Sequence, residues 1–223
     1  MAKSALIVWG GWDGHEPKQV AEVFRRELSA RGFEVEVSDT LDALLDKEKL
    51  LKLNLIVPVW TMGKISGEQL GPLCEAVQSG VGIAGCHGGM CDSFRDQTEY
   101  QFMTGGQWVA HPGGIVDYTV NVTDQDHFIT KGSVAEFKMN SEQYYLHVDP
   151  AVKVHAVTRF PTADGPHVKN GPFDMPVIWT KYYGEGRVAY NSLGHVQKDV
   201  EQAEVLPLQV RGLLWAAHAE ELA

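Results

Sequence analysis

Four short apolar runs, Ser4–Trp9, Phe33–Val37, Leu53–Trp60 and Val81–Gly85, punctuate the first 86 residues and constrain the fold more than any other feature. Two stretches between them carry the spacing of amphipathic helices. Pro17 suits a first helical turn, Val20, Val23, Phe24 and Leu28 recur on one face, and Arg31-Gly32 ends the segment. Ser66 opens a second segment through Leu70, Leu73 and Val77 that stops at Ser79-Gly80. Strands alternating with helices across short loops call for a parallel sheet covered on both faces, with right-handed crossovers. Such sheets bind ligands at the carboxyl ends of their strands.

The second half changes character. Ile115–Val122, Val152–Thr158, Val177–Trp179 and Arg187–Asn191 read as strands between loops rich in Gly, Pro, Asp and His, which adds antiparallel strands to the sheet. Val205–Ala219 places Leu206, Val210, Leu213, Leu214 and Ala217 on one helical face, so a closing helix packs on the sheet. With no internal repeat or low-complexity tract, residues 1–223 read as one α/β domain.

Composition removes several classes of function. A hydrophobic fraction of 44% and a charged fraction of 22% supply a packed core and argue against disorder. The formal charge of -10 repels phosphate backbones, and the 19 Lys and Arg residues form no dense run, so nucleic acid is not an expected partner. Met1-Ala2-Lys3 runs straight into an apolar strand without the regions of a signal peptide, and no stretch approaches the roughly 20 apolar residues of a membrane span. Cys74, Cys86 and Cys91 cannot all pair and form no CxxC clip. A cytoplasmic protein in a reducing compartment is expected, with a homodimer as the default oligomer and no membrane partner.

Chemistry concentrates on one turn. Gly85-Cys86-His87-Gly88-Gly89 leaves the fourth run in the G-x-X-x-G form of a nucleophile elbow, and its central side chain is His87. One residue earlier, Cys86 leaves a cysteine-dependent hydrolase open, although a small buried hydrophobe is the commoner fate of such a residue. His15 follows the first run, and His111 and His195 follow glycine-containing loops, so several imidazoles can converge on one rim. His15, His87 and His195 are candidate ligands for a divalent metal such as Zn²⁺, but the chain has no HxxxH or HExxH pair and scattered surface histidines fit equally.

Glu142, in the polar and aromatic stretch Asn140–Tyr145, can orient an imidazole or serve as general base, against the usual solvated glutamate. Trp12, Trp60, Trp108 and Tyr144 offer flat faces to sugar rings beside Asp13, which can bind hydroxyls, with core packing as the competing role. Together with Cys86, His111 and His195 they make up the candidate substrate-binding set. No G-x-G-x-x-G or P-loop motif supports a nucleotide cofactor, and Ser192 lacks the preceding glycine of a serine elbow.

These residues carry a resemblance. Gly85–Gly89, Gly105–Pro112, Asp126–Gly132, Ser141–Tyr144 and Trp179–His195 together make the chain similar, nearly end to end, to the ThuA-like (trehalose utilisation) proteins. That family is a branch of the class I glutamine amidotransferase-like superfamily. The resemblance implies a flavodoxin-like three-layer sandwich, a role in carbohydrate metabolism, and histidine at the elbow where amidotransferase relatives carry cysteine. The glutaminase triad is then absent. On this basis His87, Glu142 and His15 are the expected proton-handling residues of an enzyme acting on a disaccharide or its keto-sugar, as a hydrolase, lyase or isomerase. The alternative is a noncatalytic sugar-binding or regulatory module on the same fold.

Overall fold

Ala5 and Ile7 bury one side of β1 (Ser4–Gly11) while Leu6 and Val8 bury the other, so the first apolar run is covered on both faces as its lack of polar alternation requires. Each of Leu6, Ile7 and Val8, removed from water, contributes roughly 1.5–3 kcal/mol before entropy is counted. The computed structural model describes residues 2–223.

After β1 the chain passes through α1 (Pro17–Ser29), β2 (Glu34–Ser38), α2 (Lys47–Leu50), β3 (Leu55–Thr61), α3 (Gly67–Gln78) and β4 (Gly82–Cys86). Two short helices follow, α4 (His87–Cys91) and α5 (Thr98–Thr104), and then β5 (Gly106–Ala110), β6 (Ile115–Val122), β7 (Glu136–Glu142), β8 (Tyr145–Val148) and β9 (Lys153–Phe160). The chain closes with β10 (Phe173–Tyr183), β11 (Gly186–Asn191), α6 (Gln197–Val200) and α7 (Leu206–Ala216).

Nine strands form one sheet in the order β2-β1-β3-β4-β11-β10-β9-β6-β7, and β5 pairs with β8 apart from it. The first five are mutually parallel, and every later pairing in the sheet is antiparallel. Helices α1 and α7 cover one face of the parallel part; α3, α4 and α5 cover the other. This is the three-layer, flavodoxin-like sandwich with antiparallel additions that the sequence predicts, and its order at β2-β1-β3 places the topological switch between β1 and β3.

The Val177–Trp179 run is the centre of a longer strand, and Trp179 is wholly buried in it. Strands β5, β7 and β8 lie outside the runs read from the sequence. In β7 only Phe137 and Met139 are large and apolar, and the polar triplet Asn140-Ser141-Glu142 hides the alternation. No helix of the described residues is long and apolar enough to cross a membrane.

Candidate functional site

The switch point opens a crevice at the carboxyl ends of β1 and β3, and His15 fills it from the turn after β1. Its Nδ1 lies 2.8 Å from the Thr61 hydroxyl at the end of β3. That contact fixes the ring and directs Nε2 inward. Two strands away, β4 turns directly into α4 with His87 at the apex in a left-handed conformation, φ 47°. A non-glycine residue pays about 1–2 kcal/mol for that geometry. Two contacts hold it there: Tyr190 donates its hydroxyl to the His87 carbonyl at 3.1 Å, and His87 Nδ1 donates to the Ser192 carbonyl at 2.7 Å.

The glycines of the elbow are demanded by close approach. A Cβ on Gly88 would stand 2.6 Å from Cε1 of His15, and one on Gly89 would stand 3.0 Å from the Val59 backbone. Any side chain at Gly88 would push His15 out of the crevice.

Glu142 arrives from the antiparallel half, at the end of β7, with its carbonyl accepting from the Tyr118 hydroxyl at 3.3 Å. Only 7% of the residue is exposed. Its Oε2 lies 3.0 Å from His87 Nε2, 3.3 Å from His195 Nδ1, 3.6 Å from His111 Nδ1 and 3.7 Å from His15 Nε2. Burial opposes a charge here, but the surrounding imidazoles of His15, His195 and His87 outweigh it and hold the carboxyl well below the usual carboxylate range. Burial also lowers His87 to about 4, with the neighbouring His15 adding to the effect against the pull of Glu142. At neutral pH the site therefore sets an anionic Glu142 carboxylate against a neutral His87 ring.

Among the imidazoles around Glu142, two ring nitrogens are left without partners. His195 Nδ1 and His111 Nδ1 are both buried and make no hydrogen bond among the described residues. The ligand atoms of His15, His87, Glu142 and His195 all lie within 4.8 Å of one another, which makes the group able to hold a metal ion.

Aromatic rings wall the cluster. Tyr144 stacks on His87 with centroids 3.8 Å apart, Trp108 lies 5.5 Å from His111, and Trp12, 47% exposed, meets His15 edge-on at 4.8 Å. Arg95 grips the buried Asp92 through both carboxylate oxygens and lies over Trp108 at 4.5 Å, which stiffens that wall. The site combines an ionised carboxylate, ring nitrogens without partners and an exposed flat ring, a set suited to holding a cation or moving protons beside a sugar.

A family model described as ThuA, trehalose utilisation, matches residues 4–216. The chain belongs to that family. Among solved structures, a ThuA-like protein from Bacteroides uniformis superposes with a TM-score of 0.78 at 19% identity, covering 96% of this chain and 91% of that one. A ThuA-like protein from Parabacteroides merdae follows at 0.73 and 18% identity, covering 97% and 90%. The β-galactosidase of Bacillus circulans sp. alkalophilus matches at 0.60 and 14% identity over 99% of this chain but 31% of its own. No curated protein sequence matches the chain.

Within this ThuA chain the structure gathers His15, His87, Glu142, His195, His111, Tyr144, Trp108 and Trp12 into one place. Cys86 lies behind the cluster, lining a small enclosed space with His15 and His87. The cysteine is 3% exposed, packed among Val59, Ala84 and Leu193, and burial pushes its thiol up to about 12. A thiol held protonated by burial is a poor nucleophile, which speaks against the cysteine-dependent hydrolase expected as an alternative at Cys86. Trp60 packs against the core beneath Gly10 and Gly63, and Asp13 is solvent-exposed in the turn before His15. Thr61, Tyr118, Tyr190 and the Ser192 carbonyl position the cluster without being singled out from the sequence. Thr61, Tyr190 and Ser192 sit at or beside strand ends and Tyr118 lies within β6, places that become readable only once the strand order is known.

Proposed function

We propose that this ThuA-family chain is an enzyme of small-carbohydrate chemistry, acting on trehalose or a related disaccharide or keto-sugar. In this reading His15, His87, His195 and Glu142 hold a divalent metal ion. One observation carries it: His87 lies between two acceptors. Its Nδ1 hydrogen is committed to the Ser192 carbonyl, so a neutral ring turns the Nε2 lone pair toward the Glu142 carboxylate at 3.0 Å. Two electron-rich atoms at that separation need a proton or a metal cation between or beside them, and burial disfavours the protonated ring, which leaves the metal.

The donor set fits. Donors bound about 2.0–2.2 Å from zinc sit roughly 3.3–3.6 Å apart at tetrahedral corners, close to the 3.0, 3.3 and 3.7 Å contacts Glu142 makes with His87, His195 and His15. The unpartnered Nδ1 of His195 gains a partner in the same step. The carbonyl behind His87 and the hydroxyl behind His15 are the kind of outer partners that orient ligating imidazoles.

A bound divalent ion supplies Lewis acidity toward a sugar carbonyl or hydroxyl. The chain's own residues do the rest. Trp12 and Trp108 present ring faces to the sugar, Tyr144 and Arg95 fix the inner wall, and His111, at the mouth, accepts or returns the proton of the reacting hydroxyl.

Turnover of trehalose and of its mono-oxidised keto derivative, followed by product chromatography, tests the reading. His87→Ala and Glu142→Ala, each checked for folding by circular dichroism, are expected to lower turnover by about 100-fold or more. Turnover that survives both substitutions contradicts it, and saturable sugar binding by the wild type without turnover favours the noncatalytic module instead.

A further inference from the structure

A polar cleft of about 580 Å³ opens beside the cluster, lined by Glu16, Ile115, Asn140, Gln197, Asp199 and neighbours, and His195 belongs to its wall as well as to the cluster. We propose that this cleft seats the second, non-reacting unit of a neutral oligosaccharide, and that it excludes phosphorylated sugars. The proposal rests on the histidine cluster being the site of reaction, since His195 is what joins the two.

The volume lies inside the range of about 300–1,000 Å³ typical of small-molecule sites. The wall is built of groups that serve hydroxyls. Asn140 and Gln197 bring both donors and acceptors, and Glu16 and Asp199 bring acceptors. Asp199 is 95% withdrawn from solvent at 5% exposure, and the Ser141 hydroxyl donates to its Oδ2 at 2.5 Å. No other side chain donates to it among the described residues. Ser141 directly precedes Glu142, so this bond ties the cleft wall to the strand that carries the central carboxylate. On the other wall Glu16, with φ 48°, accepts from the Gln197 backbone at 3.0 Å and ties the turn after His15 to the segment after His195. Ile115, 51% exposed and paired with Glu142 in the sheet, leaves an apolar patch at the mouth for the carbon face of a ring.

Charge sets the selection. The lining carries the carboxylates of Glu16, Asp199 and Glu201 against the single ammonium of Lys198, and Arg26 pairs with Glu201 from behind. With that excess of carboxylates in the lining and a chain charge of -10, a phosphate entering this cleft meets net repulsion.

Calorimetric binding of trehalose, maltose, sucrose, cellobiose and lactose, of glucose, and of trehalose 6-phosphate tests this. The wild type is expected to bind at least one of these disaccharides at least ten-fold more tightly than glucose, and trehalose 6-phosphate no more tightly than trehalose. Asn140→Trp and Ile115→Trp, two independent fillings at exposed positions, are expected to weaken the best disaccharide at least ten-fold and glucose less than two-fold. Equal binding of mono- and disaccharides, insensitivity of the best disaccharide to both fillings, or a preference for the 6-phosphate overturns the proposal. Failure of the underlying reading is separable: Glu142→Ala would then retain full turnover whatever the two fillings do to binding.

Discussion

The protein buries two histidine clusters at opposite ends of the same sheet, and they are built on contrary terms. At the end of β6 remote from Glu142, His155 is wholly buried, with Nδ1 at 3.0 Å from Asp124 and Nε2 at 2.8 Å from the Thr180 hydroxyl. His127 stacks on it at 4.0 Å, and Lys153 neutralises Asp124 at 3.0 Å. Each nitrogen of His155 has a partner, and the carboxylate has an ammonium. In the other cluster one carboxylate faces four imidazoles, no lysine or arginine pairs with it among the described residues, and two ring nitrogens have no partner. A buried histidine with all its bonds made is structure; a group of them with nitrogens left unpartnered is a candidate site.

Carboxylate substitutions break this contrast most sharply if it is wrong. Glu142→Gln is expected to cut sugar turnover by about 1,000-fold, whereas Asp124→Asn leaves it within about three-fold per folded molecule. Equal losses would erase the distinction.

Stability runs the other way. His155→Ala strands the Asp124 and Thr180 partners and is expected to cost about 2–4 kcal/mol in urea unfolding, while His195→Ala, which strands nothing, costs less than about 1 kcal/mol.

Acid sharpens the same contrast. Burial, with His127 and Lys153 adding to it, lowers His155 to about 4 from 6.5 against the opposing pull of Asp124. Its neutral form is the folded form, so its contribution is complete above pH 6.5 and is lost as pH falls toward 4. Asp124, itself held low mainly by Lys153, keeps its charge across that window. The urea midpoint of the wild type is expected to fall between pH 7.5 and 5, and to fall less in His155→Gln. A midpoint that rises on acidification contradicts the burial of a neutral ring.

The smallest effect concerns the mouth of the reactive cluster. Trp12→Ala is expected to raise KM by about three- to ten-fold with kcat changed less than two-fold, because an exposed ring contributes binding shared by ground and transition states.

The two clusters also differ in how much of them was legible. The apolar runs place β1, β3 and β4, the elbow motif places His87 at the end of β4, and the polar and aromatic stretch Asn140–Tyr145 singles out Glu142. No spacing rule links residues 15, 87, 142 and 195, because strand order and not chain distance brings them together. Thr61 becomes a partner of His15 only once β1 and β3 are neighbours. Period-two alternation along β4 turns Cys86 with Ala84 toward the core, one residue before the chain bends and presents His87 to the site. The His155 network left no sequence signal, since Asp124, His155 and Thr180 sit on three separate elements that meet by antiparallel register.

Elemental analysis of protein purified without chelators, for wild type, Glu142→Gln and His155→Gln side by side, tests the central claim most directly. The account predicts about one divalent metal ion per chain in the wild type and in His155→Gln, and its loss in Glu142→Gln. A metal-free wild type with full turnover, or a Glu142→Gln protein that keeps its ion, contradicts it.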